Sequence, residues 1–197
     1  MARPVGVSGS DTRQAIRKAA IQRIYRYGYE AMSLRALAAD VGLRVGSLHN
    51  YIPQKQEFLG ALLDEIMTAL LLDFDTHMYG ITDTREALLQ FVRFHIEWHT
   101  ARREEVFIGN MELRSLSKEQ YVRVTSKRRQ YERQLHAILV RGKKEGLWKI
   151  ENPAITTKAI LALLTGVCNW YRPDGGVTPK RLTYLYQRMV ERMLQPD

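Results

Sequence analysis

Two short helical segments joined by a tight turn constrain the fold of this chain more than any other feature of its sequence. Ser33 is typical of a helix N-cap, and Gly42 of the residue that ends a helix. A second short helix is predicted from Val45 to about Tyr51, and Pro53 closes it. When a longer helix braces them, two such helices form a helix-turn-helix, whose second helix is slim enough to enter a DNA major groove.

The bracing helix is predicted between Asp11 and Tyr27, with Gly28 ending it. Its apolar residues recur at the spacing of one helix face, and they are Ile16, Ala19, Ala20, Ile24 and Tyr27. The second short helix has Leu48 as its apolar anchor. Its small leading residues and the polar or aromatic ones after them suit base contacts, although a helix pair inside any bundle can show a similar pattern.

The rest of the chain also predicts helices. Apolar periodicity continues from about Lys55 to Leu70, and further helices are expected over about 84–100, 103–113, 118–145, 153–170 and 179–194, with few competing strand signals. Three of their starts carry capping signals, which are Ser117 with Gln120, Asn152 with Pro153, and Thr178 with Pro179. We therefore expect an all-α fold, with a DNA-binding domain over 1–55 and a second helical domain over 56–197.

The charge distribution favours a polyanionic partner. The chain has 30 Lys and Arg against 21 Asp and Glu, a formal net charge of +9. Residues 1–55 hold nine basic and three acidic side chains, so they supply two thirds of the excess. Nucleic acid is the leading partner on this ground, and a solvated basic surface without a partner is the alternative.

Composition also bears on the setting. The single Cys168 excludes a disulfide framework within one chain and cysteine-rich zinc modules. Residues 1–10 lack the apolar core of a signal peptide, and no apolar stretch is long enough to span a bilayer. We expect a cytoplasmic protein with no membrane partner.

Residues 12–59 resemble the DNA-binding domain of the tetracycline-repressor (TetR) family of bacterial transcriptional regulators. The matching positions are Ala19 and Ala20, Gly28 and Tyr29, Ser33, Leu37 and Ala38, Val41 and Gly42, Gly46, Ser47 and Leu48, and Lys55. Two departures stand out. Arg44 replaces the usual capping Ser, so a cap is lost and a cation gained, and His49 replaces the usual Tyr.

The resemblance implies roles for residues of the helix-turn-helix. Ser33, Tyr51 and Lys55 would contact the DNA backbone. The groove-facing set would be Arg44, Gly46, Ser47, His49 and Asn50. Asn50 is suited to read adenine through a bidentate pair of hydrogen bonds.

For the second domain, the resemblance implies effector binding and dimerisation. The last two long helices would form the homodimer interface. A small-molecule effector would cause the dimer to dissociate from its double-stranded DNA operator. Their apolar faces carry Ile155, Ala159, Ala162, Leu163, Gly166 and Val167 on one helix and Leu182, Leu185, Tyr186, Met189 and Met193 on the other. These faces alternatively complete the core of a single chain.

The segment 169–175, Asn-Trp-Tyr-Arg-Pro-Asp-Gly, resembles a signature of a TetR subgroup whose members respond to acyl-coenzyme A thioesters of fatty-acid and sterol catabolism. Aromatic and apolar side chains for an acyl tunnel, and cations for coenzyme A phosphates, make up the candidate ligand residues. They are Phe94, Trp98, His99, Arg102, Phe107, Met111, Arg114, Tyr121 and Trp170. Aromatic residues at helical spacing are alternatively core.

Two histidines of the fifth predicted helix invite a metal hypothesis. His95 and His99 lie four residues apart and so project from one helix face, but no third ligand is evident. We therefore expect no metal and no cofactor, and expect these histidines on a helix face that is either solvated or lines a pocket.

Other functional classes are less well supported. The sequence has no Gly-x-Ser-x-Gly, Walker or dinucleotide motif, so we expect no enzyme activity. Two alternatives remain: a TetR-type repressor that senses a hydrophobic drug or xenobiotic, and a non-specific architectural DNA-binding dimer.

Overall fold

The computed structural model describes residues 9–194, and no strand occurs in that range. Its helices are α1 (Gly9–Tyr27), α2 (Leu34–Asp40), α3 (Val45–His49), α4 (Lys55–Met78), α5 (Thr84–Ala101), α6 (Arg103–Met111), α7 (Lys118–Lys144), α8 (Pro153–Thr165), α9 (Val167–Trp170) and α10 (Pro179–Leu194), with a 3-10 turn at Glu112–Ser115. The all-α prediction is confirmed. The prediction that residues 1–10 lack a signal peptide concerns positions most of which lie outside the described residues.

The predicted capping signals are confirmed as hydrogen bonds. Ser33 Oγ accepts from the Ala36 amide at 3.1 Å. Asn152 Oδ1 accepts from the amides of the second and third residues after it, at 3.0 and 3.2 Å. Ser117 and Gln120 exchange side-chain-to-amide bonds of 3.1 and 3.3 Å. Side-chain oxygens thus satisfy amides that a helix start leaves without intrahelical partners.

Two local predictions are wrong. The periodicity places Tyr27 on the buried face of α1, and it is 62% exposed. It lies eleven residues after Ile16, close to three full turns, so its direction matches the buried stripe. Ile24, one turn earlier, is buried, but the Tyr27 side chain at the end of the helix is left uncovered. The single helix predicted over 153–170 is interrupted at Gly166, a residue with low helix propensity, and becomes α8 and α9.

The described residues form two compact units. The N-terminal unit contains the described residues up to Ile66 together with Glu104–Arg123. Its buried core includes Ile24 of α1, Leu37 of α2 and Leu48 of α3. Packing therefore groups the first half of α4, nearly all of α6 and the start of α7 with α1, α2 and α3. The functional boundary predicted after Lys55 stays a prediction.

The C-terminal unit contains Met67–Arg103 and the described residues from Val124 onward. In it α5 is the central helix, and α8, α9 and α10 pack against it. Phe91 and Ile96 of α5 are fully buried, as the apolar periodicity of that helix predicts. Between residues 9 and 194, no helix is both long and apolar enough to cross a membrane.

Candidate nucleic-acid interface and ligand site

Helix α3 presents a small polar face on a buried anchor. Leu48 is fully buried and fixes α3 within the N-terminal unit. Around it the predicted groove-facing residues are all exposed, namely Arg44, Gly46, Ser47, His49 and Asn50. The Arg44 side chain makes no capping hydrogen bond, so the predicted loss of the helix cap is confirmed. Its guanidinium remains at the exposed start of the helix, where it can interact with a phosphate.

The three predicted backbone-contacting residues differ in how they are held. Ser33 Oγ is occupied as an acceptor in the cap of α2, which leaves its hydroxyl hydrogen to donate. Lys55 Nζ donates to the Glu30 carbonyl at 3.2 Å and lies 4.2 Å from the centre of the Tyr29 ring. Tyr51 is half-buried at the end of this motif. The Lys55 ammonium group is therefore already positioned by two neighbours.

The buried carboxylate of Glu112, whose role the sequence analysis did not predict, hydrogen-bonds the backbone of Tyr29, the residue beneath Lys55. Glu112, in the 3-10 turn of the N-terminal unit, is only 6% exposed. Its Oε1 accepts from the Tyr29 amide at 3.0 Å, and its Oε2 accepts from the Ser115 hydroxyl at 2.8 Å. Hydrogen bonds to an ionised acceptor are stronger than those between neutral groups. Glu112 therefore fixes the loop that carries the Tyr29 ring under the Lys55 ammonium.

A second polar contact ties the start of α4 to the start of α7. The Gln56 side-chain amide donates to the Ser115 carbonyl and to Gln120 Oε1, each at 2.8 Å. Its Oε1 accepts from the Tyr29 hydroxyl at 3.2 Å. Gly60 makes the approach possible, because a Cβ there would overlap the Gln120 side chain. Of these residues the sequence analysis predicted only Gln120, as part of a capping box, and that pattern does not identify Gln56 as a partner.

Four of the predicted ligand residues lie in the N-terminal unit. Phe107 packs edge-on against Tyr25 of α1, with ring centres 5.0 Å apart. Met111, Arg114 and Tyr121 are exposed. Nearby, Arg17 makes a two-pronged contact with Glu105, at 3.2 and 3.0 Å. In this unit Phe107 therefore takes part in packing α6 on α1.

Four others cluster on the second half of α5 and at Arg102, the residue that follows it, in the C-terminal unit. Phe94 is buried against Phe74. The Trp98 indole donates to Asp73 at 3.0 Å, and the Arg102 guanidinium lies 4.9 Å from the Trp98 ring and 3.3 Å from the same carboxylate. His99 completes the cluster. The ninth residue, Trp170 at the end of α9, is 53% exposed.

His95 and His99 form a buried stacked pair, with ring centres 3.6 Å apart. His95 makes 3.3 Å contacts with the hydroxyls of Tyr131 and Thr165. His99 Nδ1 is buried with no hydrogen-bond partner among residues 9–194. Burial lowers the pKa of His99 to about 3, against an opposing contribution from the His95 backbone and with the nearby Arg128 charge adding to the fall. Burial also lowers the pKa of His95. Both imidazoles are therefore neutral at pH 7.

The described residues contain no cluster of three or more His, Cys, Asp or Glu side chains able to hold a metal ion. A neutral imidazole with a free nitrogen can instead hydrogen-bond a carbonyl or hydroxyl group of a ligand. The His95–His99 pair therefore has the chemistry of a polar contact inside an otherwise aromatic environment.

Two family models match this chain. The tetR family of bacterial regulatory proteins matches residues 16–62, and the C-terminal domain of tetracycline-repressor-like proteins matches residues 82–194. No curated protein matches the chain in sequence.

Solved structures of similar fold cover nearly the whole chain. The TetR-family transcriptional regulator PfmR from Thermus thermophilus is 26% identical, with a TM-score of 0.81 over 90% of this chain and 97% of that one. The ketosteroid transcriptional regulator KstR2 of Mycobacterium tuberculosis is 20% identical, with a TM-score of 0.88 over 99% of this chain and 100% of that one. AibR, solved with isovaleryl coenzyme A and operator DNA, is 22% identical, with a TM-score of 0.81 over 94% of this chain and 100% of that one.

Proposed function

The chain belongs to the TetR family of bacterial regulatory proteins and is a DNA-binding transcriptional regulator, and we propose that it acts as a dimeric repressor released from its operator by an acyl-coenzyme A thioester. The observation that carries the DNA-binding part is the exposed polar face of α3 on its buried Leu48 anchor. It has the size and chemistry that a major groove admits.

We assign the DNA contacts to the residues of this face and its flanks. Asn50 reads a base, and the exposed Arg44 contacts a phosphate at the start of α3. Lys55, at the start of α4, contacts the DNA backbone, and its ammonium group is held in place by the Glu30 carbonyl and the Tyr29 ring. Gly46, Ser47 and His49 face the groove, and Ser33 and Tyr51 flank it.

The homodimer is proposed through α8 and α10. Several apolar side chains on these helices are exposed in the single chain, and these are Ile155 at 61%, Tyr184 at 51%, Met193 at 47% and Met189 at 46%. Both helices pack against α5, and exposed apolar residues on such helices are typical of an interface with a second copy. Val167, Leu182 and Tyr186, which were expected on the same faces, are buried within the C-terminal unit and serve its own core.

The effector proposal is supported by the aromatic and histidine cluster of α5 and by the resemblance of segment 169–175 to the acyl-coenzyme A-responsive subgroup. AibR, a protein of the same fold, binds isovaleryl coenzyme A and operator DNA. On this chain, Phe94 and Trp98 would contact the acyl body, and the buried His99 imidazole would donate a hydrogen bond to the thioester carbonyl. Arg102 supplies a cation for a coenzyme A phosphate.

The test is a fluorescence-anisotropy titration on DNA from immediately upstream of the protein's own gene. It is repeated with a panel of acyl-coenzyme A thioesters, with free coenzyme A and with an unrelated DNA of the same length. Specific binding that only particular thioesters release is the expected result. Specific binding that no thioester disturbs would favour a drug or xenobiotic as the effector. Equal affinity for unrelated DNA would favour an architectural DNA-binding protein.

His99→Ala and Arg93→Ala separate a ligand contact from a general effect on α5. His99 is buried beside the aromatic cluster, whereas Arg93 is on the exposed face of the same helix. We expect His99→Ala to raise the thioester concentration needed for release and leave DNA affinity unchanged. Arg93→Ala should change neither quantity.

A further inference from the structure

A second cationic surface lies in the N-terminal unit, outside the helix-turn-helix. Arg114 belongs to the 3-10 turn Glu112–Ser115, and Lys118 is the first residue of α7. Both side chains are exposed, and both residues belong to the N-terminal unit together with α1, α2 and α3. We call these two residues the flanking patch. Its surroundings indicate a partner other than the effector to which the sequence analysis assigned Arg114.

Hydrogen bonds place the flanking patch beside the start of α4. Gln56 directly follows the predicted DNA contact Lys55, and its side-chain amide donates to the Ser115 carbonyl at 2.8 Å. The same amide donates to Gln120 Oε1, also at 2.8 Å. Ser115 is the residue after the first cation of the patch, and Gln120 lies two residues after the second. Both cations are therefore within two positions of an acceptor that contacts the neighbour of Lys55.

A second contact joins the same segment to the loop beneath Lys55. Glu112 Oε1, two residues before Arg114, accepts from the Tyr29 amide at 3.0 Å. The centre of the Tyr29 ring lies 4.2 Å from Lys55 Nζ. Lys55 and the flanking patch therefore belong to one hydrogen-bonded part of the N-terminal unit.

The neighbouring carboxylates leave the flanking patch free to bind an anion. Glu112 is buried and already accepts two hydrogen bonds. The Glu119 carboxylate folds back on the start of α7, where its own amide and the Ser117 hydroxyl lower its pKa. The exposed Glu30 offsets part of the local positive charge. Among residues 9–194, however, no carboxylate forms an ion pair with either cation of the patch.

We propose that Arg114 and Lys118 bind phosphates of the DNA backbone next to the phosphate that Lys55 contacts. Phosphates follow one another every 3.4 Å or so along the axis of each DNA strand, so cations beside one phosphate contact meet further phosphates. The proposal rests on the DNA-binding function proposed above and extends the DNA surface beyond the helix-turn-helix. Such contacts strengthen binding without reading the base sequence.

The experiment measures the affinity of the full chain for DNA from immediately upstream of its own gene, and for an unrelated duplex, at several salt concentrations. Each lost phosphate contact makes the slope of log affinity against log salt concentration shallower by about 0.9. The double variant Arg114→Gln/Lys118→Gln should therefore have a slope shallower by about 1.8 on both duplexes. Relative to 1 M salt, the same relation gives a loss at 0.1 M of about eightfold for each contact, or about sixtyfold for the pair.

Two matched double variants separate phosphate binding from a general effect of charge. Arg133→Gln/Lys144→Gln removes two exposed cations from the part of α7 in the C-terminal unit and should keep the wild-type slope. Arg114→Lys/Lys118→Arg keeps both charges and should also keep it. The proposal is overturned if Arg114→Gln/Lys118→Gln leaves the slope unchanged, or if the C-terminal control changes it equally.

The two duplexes distinguish failure of this proposal from failure of the proposed function. Equal affinity of the wild type for both duplexes would refute sequence-specific regulation. The contribution of the flanking patch would still be measured on either duplex, because phosphate contacts do not depend on sequence. A weaker response to thioesters in Arg114→Gln with an unchanged salt slope would return Arg114 to the effector site and contradict the proposal.

Discussion

Replacing Glu112 by Gln tests how the N-terminal unit aims a predicted DNA-contacting side chain. Gln has nearly the same shape as Glu, but it carries no charge and has an NH2 donor in place of one acceptor oxygen. Glu112 accepts from the Tyr29 amide at 3.0 Å and from the Ser115 hydroxyl at 2.8 Å. The Tyr29 ring in turn lies beneath the Lys55 ammonium, 4.2 Å from its Nζ. The substitution therefore weakens the support of Lys55 without touching it.

The magnitude follows from these two hydrogen bonds. A bond to a charged group contributes about 1.5–3 kcal/mol and a neutral bond about 0.5–1.5 kcal/mol, so the bond from the Tyr29 amide becomes weaker by roughly 1 kcal/mol. The contact with Ser115 must reverse, with the Gln amide donating to the Ser115 hydroxyl oxygen, and this bond loses a similar amount. Part of this is recovered because Gln carries no charge to bury. We expect Glu112→Gln to lower the free energy of unfolding by about 1–2 kcal/mol, which corresponds to a fall in melting temperature of roughly 2–8 °C.

The assay combines thermal unfolding with operator binding at several salt concentrations. Glu112→Gln should weaken operator binding, and much of that loss should vanish in the Lys55→Ala background, because the effect passes through Lys55. Glu104→Gln, an exposed carboxylate of α6, is the matched control and should leave stability and affinity unchanged. The reasoning is refuted if Glu112→Gln costs the same operator affinity with and without Lys55.

Three further changes have defined outcomes. Arg44→Ser should restore the missing cap of α3 and raise the free energy of unfolding in urea by about 1 kcal/mol. It should also make the slope of log operator affinity against log salt concentration shallower by about 0.9, and an unchanged slope would show that Arg44 contacts no phosphate. Since the folded-state pKa values of His95 and His99 lie below the unfolded value of about 6.5, the stability tied to their neutral forms is present above pH 6.5 and is lost as pH falls. Protonating the unfolded form of each histidine should lower the free energy of unfolding by about 1.2 kcal/mol between about pH 6 and pH 5. In urea unfolding, the fall caused by this pair over that window should therefore be about half as large in His99→Leu as in the wild type, and an unaltered pH dependence would contradict the neutral pair. Gly142→Ala should destabilise by about 1–3 kcal/mol, because its Cβ would overlap the Trp148 indole, and an unchanged melting temperature would show that α7 relaxes freely there.

Local features of this fold could be predicted from the sequence, because the groups that make them are close along the chain. The Ser33 cap and the Ser117–Gln120 capping box each join residues three positions apart. The loss of a cap at Arg44 was equally visible, since it depends on one side chain and the helix that follows.

Contacts between distant segments could not be predicted in this way. Glu112 and Tyr29 are separated by 83 residues, and Gln56 and Gln120 by 64. Periodicity gives the direction of a side chain but not what covers it. Tyr27 illustrates the limit, because it points along the buried stripe of α1 and is still exposed.

The candidate DNA surface was therefore easier to predict than the ligand site. The exposed residues of α3 and the buried Leu48 lie within one short helix and its cap. The nine candidate ligand residues are divided between two units, and only those on α5 form a cluster through contacts such as that of Trp98 with Asp73.

Sequence-specific DNA recognition by α3 is the central claim, and the most direct measurement compares Asn50→Ala with Lys55→Ala across a library of single-base operator variants. We predict that Asn50→Ala removes about 1–3 kcal/mol of discrimination at one base pair and leaves the other positions unchanged. Lys55→Ala should weaken binding to all variants alike and make the salt slope shallower by about 0.9. Equal, position-independent losses in both variants would contradict base reading by α3.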